Sequence, residues 1–350
     1  MGFPIDNDEQ KIRISLSEHA MTVMKEDMEV FLVKQPATFI NTVFSNFRDD
    51  AFSSLSAYLE RKRSEYSRIF EKSELSDSDI EAAIKCLLTE DKLNLEAQIR
   101  NFLRDKAASN IFHLNKDNLE YLLSDECPSD KIYNNKASSY VKCVIEEYTS
   151  KPFIERVRIF KKDVYEAVER AYKLREVLEI TVAIDDKKTQ TFLVHPYKII
   201  SDPLHTQDYL ACFTRQKGES PKQKRIASFA MARLTTPKIL KQEAFISRAD
   251  KTLLEKSISQ LSAAFLLGEP EKIEIRLTEK GKQIYRNKLH LRPVKDKVAS
   301  TDDVYVFYCS EMQAYNYFFA FGQEAEILSP VSLRQRFING YRLGMEHYIK

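Results

Sequence analysis

Cations and flat side chains are concentrated together between residues 187 and 240. This segment carries ten Lys and Arg residues against three Asp and Glu residues. Single-stranded nucleic acid binds to such combinations, because cations contact its phosphates and rings stack on its bases. The cations considered are Lys198, Arg215, Lys217, Lys222, Lys224, Arg225 and Arg233, and the stacking candidates are His195, Tyr197, Tyr209 and Phe213. The composition therefore predicts a surface that binds a single strand.

Several of these residues also have a structural interpretation. Tyr209 and Phe213 share one face of a predicted strand, where aromatic residues usually pack in a core. Lys222 and Lys224 lie in a loop with a proline, where a solvated charge is the ordinary outcome. For His195, stacking or hydrogen bonding to a ligand and simple packing are equally compatible with the sequence.

Arg233 is harder to explain as packing. It lies between Ala232 and Leu234 in an otherwise apolar stretch. A buried guanidinium there would require an anionic or carbonyl partner. We therefore predict that Arg233 contacts a ligand.

Signatures of catalysis and of metal binding are missing from the sequence. The chain has seven glycines, and none forms a dinucleotide-binding or phosphate-binding loop. Its five cysteines are widely separated with no C-x-x-C pair, and no histidine has a nucleophile signature beside it. Carboxylates are plentiful but unpatterned, which leaves a hydrolytic pair open. We expect a protein that is not an enzyme and needs no cofactor or metal.

The compartment is predicted from what the sequence lacks. The first residues show no basic region followed by an apolar one, so no secretory signal is expected. No window approaches the roughly 18 apolar residues of a membrane span. The scattered cysteines suit a reducing environment. We expect a cytoplasmic protein without membrane contact.

Near the start, the polar and apolar residues of Lys11–Leu16 alternate, which predicts a short strand. Ser17 is a suitable N-cap for a helix with an apolar stripe, and Pro36 begins a second, long helical pattern from Phe39 to Tyr66. A lone strand needs a partner, because its backbone groups must be hydrogen-bonded. Two chains that pair their strands would satisfy it.

This strand–helix–helix order resembles a ribbon-helix-helix dimer. The resemblance implies that Lys11, Arg13 and Ser15 point outward from the ribbon, where such families contact duplex DNA. The alternative is a strand that pairs elsewhere in its own chain. The following residues 71–130 carry seven Lys and Arg against fourteen Asp and Glu. They predict a helical connector with helices at 80–88, 93–103 and 119–122, followed by one at 140–148.

From residue 178 the hydrophobic period changes to two. Strands are predicted at 178–184, 191–200, 208–214 and 225–234, joined by short turns, which favours a small antiparallel barrel. The last hundred residues alternate helix and strand. Helices are predicted at 251–266, 280–287, 312–319 and 331–347, and strands at 272–277, 304–309 and 324–328.

The segment from Ser139 to Leu240 resembles the WYL domain of bacterial and phage regulators. The matching motifs are a helical approach at 140–156, a strand that ends in Pro196, the naming triplet at 208–210, and a strand at 229–234 that keeps its arginine as Arg233. The triplet here is Asp-Tyr-Leu and the chain has no Trp. Ala230 replaces the first arginine of the last motif, so this chain lacks both that arginine and the tryptophan of the family pattern.

The resemblance implies an α+β, multidomain fold. Residues 1–70 would form a ribbon-helix-helix-like module, 71–150 a helical connector, 151–245 an Sm-like WYL β-barrel, and 246–350 a C-terminal α/β dimerisation or extension domain. This arrangement also resembles the WYL accessory proteins of type VI-D CRISPR systems. That likeness implies a homodimer that binds single-stranded RNA and enhances an RNA-guided effector RNase.

Two other functions remain open at this stage. The first is a ligand-responsive transcriptional regulator whose N-terminal ribbon binds duplex DNA. The ribbon has few cations for such a role, which favours the RNA-binding interpretation. The second is an adaptor that binds only proteins.

Overall fold

The computed structural model describes residues 11–105, 107–127, 131–185, 188–202, 206–220, 223–261, 263–266 and 271–349. The chain forms two compact units, Met1–Lys162 and Asp163–Lys350. The described residues form twelve α-helices and three antiparallel sheets. The predicted mixed α+β fold is confirmed, and the finer division into four domains stays a prediction.

The first unit is mainly helical. Its elements are β1 (Lys11–Leu16), α1 (Glu18–Val30), α2 (Pro36–Phe47), α3 (Leu55–Phe70), α4 (Asp77–Arg104), β2 (Ala108–His113), α5 (Lys116–Leu123), α6 (Ala137–Ser150) and α7 (Phe153–Phe160). Helix α6 is buried over most of its length. Strand β1 and helices α1, α2 and α4 pack against it.

Strand β1 and the cap of α1 form as the sequence predicts. Residues of β1 alternate between exposed and buried, and Ser17 accepts a hydrogen bond from the Ala20 amide at 3.1 Å. The partner of β1 is β2 of the same chain, with Lys11 opposite His113. This is the alternative that the sequence left open, and a ribbon shared between two chains is not confirmed.

Two helix boundaries differ from the predictions. The long helical pattern from Phe39 to Tyr66 is interrupted at residues 48–54, because the buried carboxylate of Glu147 binds the amides of Phe52 and Ser53 at 3.0 and 2.9 Å. The two short helices predicted at 80–88 and 93–103 are one continuous helix, α4. Because neither stretch contains glycine or proline, α4 continues without a break, whereas the break at 48–54 depends on the tertiary contacts of Glu147.

The second unit contains a five-stranded sheet and a smaller α/β region. Its elements are α8 (Lys162–Leu174), β3 (Glu176–Asp185), β4 (Lys188–Ser201), β5 (Asp208–Gln216), β6 (Arg225–Ala230), β7 (Leu234–Glu243), α9 (Arg248–Leu261), β8 (Glu271–Leu277), α10 (Glu279–Asn287), β9 (Val304–Cys309), α11 (Glu311–Phe318), β10 (Ala325–Ser329) and α12 (Val331–Glu346). The helices and strands of the last hundred residues follow the predictions closely.

The large sheet has the order β6-β5-β4-β3-β7. The predicted single strand at 225–234 is broken by a 3-10 turn, Met231–Arg233, which joins the two edge strands. In a flat sheet with strands about 4.8 Å apart, the two edge strands would be about 19 Å from each other. A three-residue 3-10 turn advances only about 2 Å per residue, which is too short to span that distance. The sheet must therefore curl. Closure into a barrel is not confirmed, because the strand pairings of the described residues do not join β6 to β7.

The smaller sheet, of order β10-β8-β9, shares its core with the large one. Ala211 and Phe213 of β5 belong to the same buried cluster as Leu254 of α9 and Phe307 of β9. One face of the large sheet is thus covered by the C-terminal region. Ligand contacts must come from the remaining surface and from the connections.

Candidate nucleic-acid interface

Tyr209 and Arg233 come together at the end of the sheet where it curls. Tyr209 lies on β5 between Ile200 of β4 and Ala230 of β6, and its side chain is half-buried. Burial raises the pKa of the Tyr209 hydroxyl, the charge of Asp202 raises it further, and the charge of Arg233 lowers it. Ala230, which lies opposite Tyr209, directly precedes the turn Met231–Arg233, so the phenol and the guanidinium belong to the same end of the sheet.

Arg233 itself is exposed, which corrects the expectation that it is buried in a strand. That expectation treated 225–234 as one strand, whereas Arg233 lies in the 3-10 turn between β6 and β7. Among the residues that the structure describes, it forms no ion pair with a carboxylate. Its charge is available to a phosphate without the displacement of a protein partner.

Asp208 directly precedes Tyr209 at the start of β5. The carboxylate is buried and accepts hydrogen bonds from the Tyr165 hydroxyl at 2.8 Å and from Ser201 Oγ at 2.7 Å. It links β5 to α8 and β4. This position therefore stabilises the sheet around Tyr209 instead of offering an apolar ring to a ligand.

Lys224 packs between strand β5 and the connection that leads into α9. Its ammonium lies 4.6 Å from the Phe213 ring centroid, and it is 3.3 Å from both the Asp250 carboxylate and the Phe245 carbonyl oxygen. Asp250 also accepts from the Ser247 amide at 3.0 Å, which completes the N-terminal cap of α9. The observed role of Lys224 is to fix the start of α9.

His195 lies opposite Phe213 on the neighbouring strand, and the Phe213 ring is the one that Lys224 contacts. Burial and the charge of Lys224 lower the pKa of its imidazole, and a hydrogen bond with the Phe245 backbone offsets part of this shift. Among the described residues, Nδ1 of His195 has no hydrogen-bond partner, although the atom is buried. Neutral imidazole suits a packed position better than a phosphate contact.

Tyr197 and Lys198 share one carboxylate. The Tyr197 hydroxyl donates to Glu255 of α9 at 2.5 Å, and Lys198 Nζ lies 2.9 Å from the same carboxylate oxygen. This hydrogen bond raises the pKa of Tyr197 to about 12. Both side chains are partly exposed, but Lys198 can bind a phosphate only by exchange with Glu255.

Three further candidate cations are engaged on the β5–β6 side. Arg215 donates to the Glu219 carbonyl oxygen at 2.8 Å, and Arg225 lies 3.4 Å from the carboxylate of the same residue. Lys217 pairs with Glu179 at 2.8 Å. These exposed pairs are weak. The cations can exchange partners with an incoming strand.

The remaining candidates lie elsewhere. Phe213 is buried in the core, as its structural interpretation held, so it cannot stack on a base. Lys222 lies outside the described residues. Arg13 lies in the first unit, on the outward face of β1 opposite Ile111.

The carboxylates that neutralise the lysines of the basic segment cannot be identified from the sequence pattern. Glu255 and Asp250 belong to α9, so they are distant in sequence from the lysines that they bind. Local composition carries no signal for such pairs. Only Arg233 keeps both its exposure and an unneutralised charge among the predicted cations of the described sheet.

No group of three or more His, Cys, Asp or Glu side chains suited to a metal ion occurs among the described residues. In the same residues, no helix combines the length and the apolar character that a membrane crossing requires.

No family model and no curated protein matches the sequence. A solved structure described as that of a CRISPR Cas-related protein matches with a TM-score of 0.73 and 20% identity, over 99% of this chain and 96% of that chain. Proteasome accessory factor B/C (PafBC) of Arthrobacter aurescens matches with a TM-score of 0.28 and 14% identity, over 96% of this chain and 50% of that chain. The first match shows that the fold is shared across the whole chain. The second is too weak to support an argument.

Proposed function

We propose that this chain is a cytoplasmic regulatory protein that binds single-stranded RNA and enhances the RNA-guided RNase of a type VI-D CRISPR system. The observation that carries the proposal is that a half-buried ring, Tyr209, and the exposed guanidinium of Arg233 lie at the same end of the sheet, since Tyr209 is opposite Ala230 and Arg233 ends the turn that follows Ala230. A base stacked on the ring would place its phosphate near the cation. The role requires positioning of RNA and no bond chemistry by this chain.

The fold supports this proposal beyond the pair itself. The structure described as a CRISPR Cas-related protein shares the fold, and the motifs at 139–240 resemble the WYL domain. We propose that the curled sheet is an Sm-like barrel and that the first unit is related to ribbon-helix-helix modules. RNA held on the barrel would be concentrated near the effector nuclease, which raises the encounter rate.

A homodimer is part of the proposal, and α12 supplies the surface for it. Val331, Ile338 and Met345 recur every seventh residue and are 79%, 50% and 60% exposed. Apolar residues at this spacing lie on one helix face, which is typical of a helix that packs against another. A second copy of α12 would cover them. Ile338→Lys should convert a dimer to a monomer in light scattering, whereas Asn339→Ala, at an exposed position about 100° around the helix from Ile338, should not.

A transcriptional regulator is the second candidate, and one observation favours it. Strands β1 and β2 form a two-stranded ribbon that exposes Lys11 and Arg13. A ribbon of this kind can enter the major groove of duplex DNA. Arg13→Ala is the variant that tests this function.

The two candidates are separated by fluorescence anisotropy with single-stranded RNA and with duplex DNA of equal length, over a salt series. We expect RNA to bind more tightly, and Arg233→Ala to weaken it about fivefold or more and to reduce the salt slope by about 0.7. Tyr209→Leu should also weaken binding, whereas Tyr209→Phe should keep it. Arg342→Ala is the matched control for charge.

The opposite result would change the conclusion. If the chain prefers duplex DNA, and if Arg13→Ala abolishes that binding while Arg233→Ala does not affect it, the chain is a DNA-binding regulator. Absence of binding to either nucleic acid at low salt would favour a protein adaptor.

Enhancement of the effector RNase is a separate part of the proposal. It is tested by measuring RNA cleavage by the effector with and without the purified chain.

A further inference from the structure

A cleft of about 410 Å³ opens between the end of α8, strand β4 and the β7–α9 connection. Its lining includes Tyr172, Arg175, Tyr197, Phe245 and Lys251. Clefts of this size hold small organic ligands. Apart from Tyr197, none of these residues belongs to the interface built around Tyr209 and Arg233.

Two aromatic rings of the cleft are largely exposed. Phe245 is 64% exposed and Tyr172 is 51% exposed. The backbone beneath Phe245 is fixed, because the Ala244 amide donates to the Arg175 carbonyl oxygen at 2.8 Å and Lys224 binds the Phe245 carbonyl oxygen at 3.3 Å. The Phe245 ring is therefore presented to solvent from an anchored segment.

The cations of the cleft outnumber its carboxylates. Lys173, Arg175 and Lys251 line it, against Glu243 alone. Lys173 pairs loosely with Glu169 at 3.8 Å. In the part of the chain that the structure describes, Arg175 and Lys251 form no ion pair. Two unneutralised cations beside exposed rings favour a ligand that is both planar and anionic.

Arg175 occupies a backbone position that normally selects another residue. It directly follows α8 and has φ of 54°, in the left-handed region. Glycine is the usual residue at this position after a helix, and a residue with a side chain costs about 1 kcal/mol there. Leu32 and Leu291 adopt the same region, so the conformation assigns Arg175 no role, but it makes glycine the substitution that removes the guanidinium without backbone strain.

We propose that this cleft binds a phosphorylated nucleoside, with the base against Phe245 and Tyr172 and the phosphate at Arg175 and Lys251. The ligand is either a free mononucleotide or one nucleotide of a bound strand, since both present the same chemistry. The inference goes beyond the proposed RNA contact at Tyr209 and Arg233 and stands on different residues.

The test uses the fact that the chain contains no Trp. Phe245→Trp keeps an aromatic ring in the cleft and makes it the single fluorescent indole. Tyr308→Trp is the control, because Tyr308 is an exposed aromatic residue on β9 that does not line the cleft. The probes are AMP, UMP, adenosine, inorganic phosphate and a single-stranded RNA, each added to the full chain.

We expect AMP, UMP or the RNA to quench the indole at position 245 and not the indole at position 308. In the Phe245→Trp background, Arg175→Gly should lower the affinity for AMP or UMP at least about fivefold. Glycine accepts the left-handed conformation, so this variant removes the guanidinium without backbone strain. Circular dichroism and the unfolding midpoint show whether each variant is folded.

Each outcome decides a point. Quenching by AMP or UMP identifies a free-nucleotide site, and quenching by RNA alone identifies a site for one nucleotide of a strand. Equal affinity for adenosine and AMP, an unchanged affinity in Arg175→Gly, or no quenching by any probe overturns the proposal. A further outcome separates the two proposals. If anisotropy detects RNA binding that Arg233→Ala weakens, but the fluorescence of the indole at position 245 does not change, the proposed function stands and the cleft is rejected as a nucleotide site.

Discussion

Arg156 donates hydrogen bonds to both carboxylate oxygens of Asp27, with Nε 2.8 Å from Oδ2 and Nη2 3.0 Å from Oδ1. Asp27 is 1% exposed and also accepts from the Tyr148 hydroxyl at 2.8 Å. The contact ties α1 to α6 and α7. A two-pronged pair of this geometry is strong where it is shielded from water.

Loss of this pair should destabilise the first unit severely. Asp27→Ala leaves a mostly buried guanidinium without its anion, and we expect the free energy of unfolding to fall by about 3–5 kcal/mol in urea titration. Glu81→Ala removes the exposed partner of Arg63 and should change stability far less. Similar losses in the two variants would show that the buried pair contributes no more than a surface pair.

The sequence predicts elements well where periodicity and capping agree. Strand β1, the Ser17 cap and nearly every element after residue 271 follow such patterns. Strand β2 was missed, since Ala108–His113 has no clear alternation and forms only through its pairing with β1. The break at residues 48–54 depends on the Glu147 carboxylate, which lies about a hundred residues away in the sequence.

The candidate site is less predictable than the fold. Composition located the basic segment, and Tyr209 and Arg233 both belong to it. It did not show that Lys198, Lys224 and Arg225 are held by carboxylates. Nor did it find Arg175 and Phe245, because the cleft is formed by residues before β3 and after β7.

His195 should make the stability of the second unit depend on pH. Burial, Lys224 and Arg215 lower its pKa in the folded state, while a hydrogen bond with the Phe245 backbone and the charge of Asp250 act in the opposite direction without reversing the shift. The unfolded chain therefore takes up this proton at a higher pH than the folded chain. The stabilisation is complete above the ordinary histidine pKa near 6.5 and is lost as the pH falls through it toward the lower folded value.

Urea unfolding at pH 7.5, 6.5 and 5.5 measures this effect. Because glutamine does not titrate, His195→Gln should lose less stability than the natural chain between the highest and the lowest pH. A parallel loss of stability in both proteins over this range would contradict the expected pKa shift.

Two helical glycines should respond to alanine in opposite directions. A Cβ at Gly281 would overlap the backbone carbonyl oxygen of Glu324, whereas at Gly344 it would meet no atom within 4 Å. We expect Gly281→Ala to lower the free energy of unfolding by about 1–3 kcal/mol. Gly344→Ala should raise it by roughly 0.5–1 kcal/mol, because alanine loses less entropy in a helix. Urea titration of the two variants gives both values, and stabilisation by Gly281→Ala would refute the packing of α10 against Glu324.

Glu255 competes with RNA for Lys198 and Tyr197 if those residues contact the strand. Glu255→Gln removes the carboxylate that holds Lys198 Nζ at 2.9 Å and frees the ammonium for a phosphate. We expect RNA affinity to rise a few-fold, and the salt slope in anisotropy to steepen by about 0.7 for one added phosphate contact. Glu274→Gln is the matched control, since Glu274 pairs with Lys272 at 2.7 Å in the smaller sheet and should leave the slope unchanged. An unchanged RNA affinity in Glu255→Gln would restrict the interface to the Tyr209 and Arg233 end of the sheet. Equal gains in affinity in both variants would show that the effect comes from the change in net charge and not from the release of Lys198.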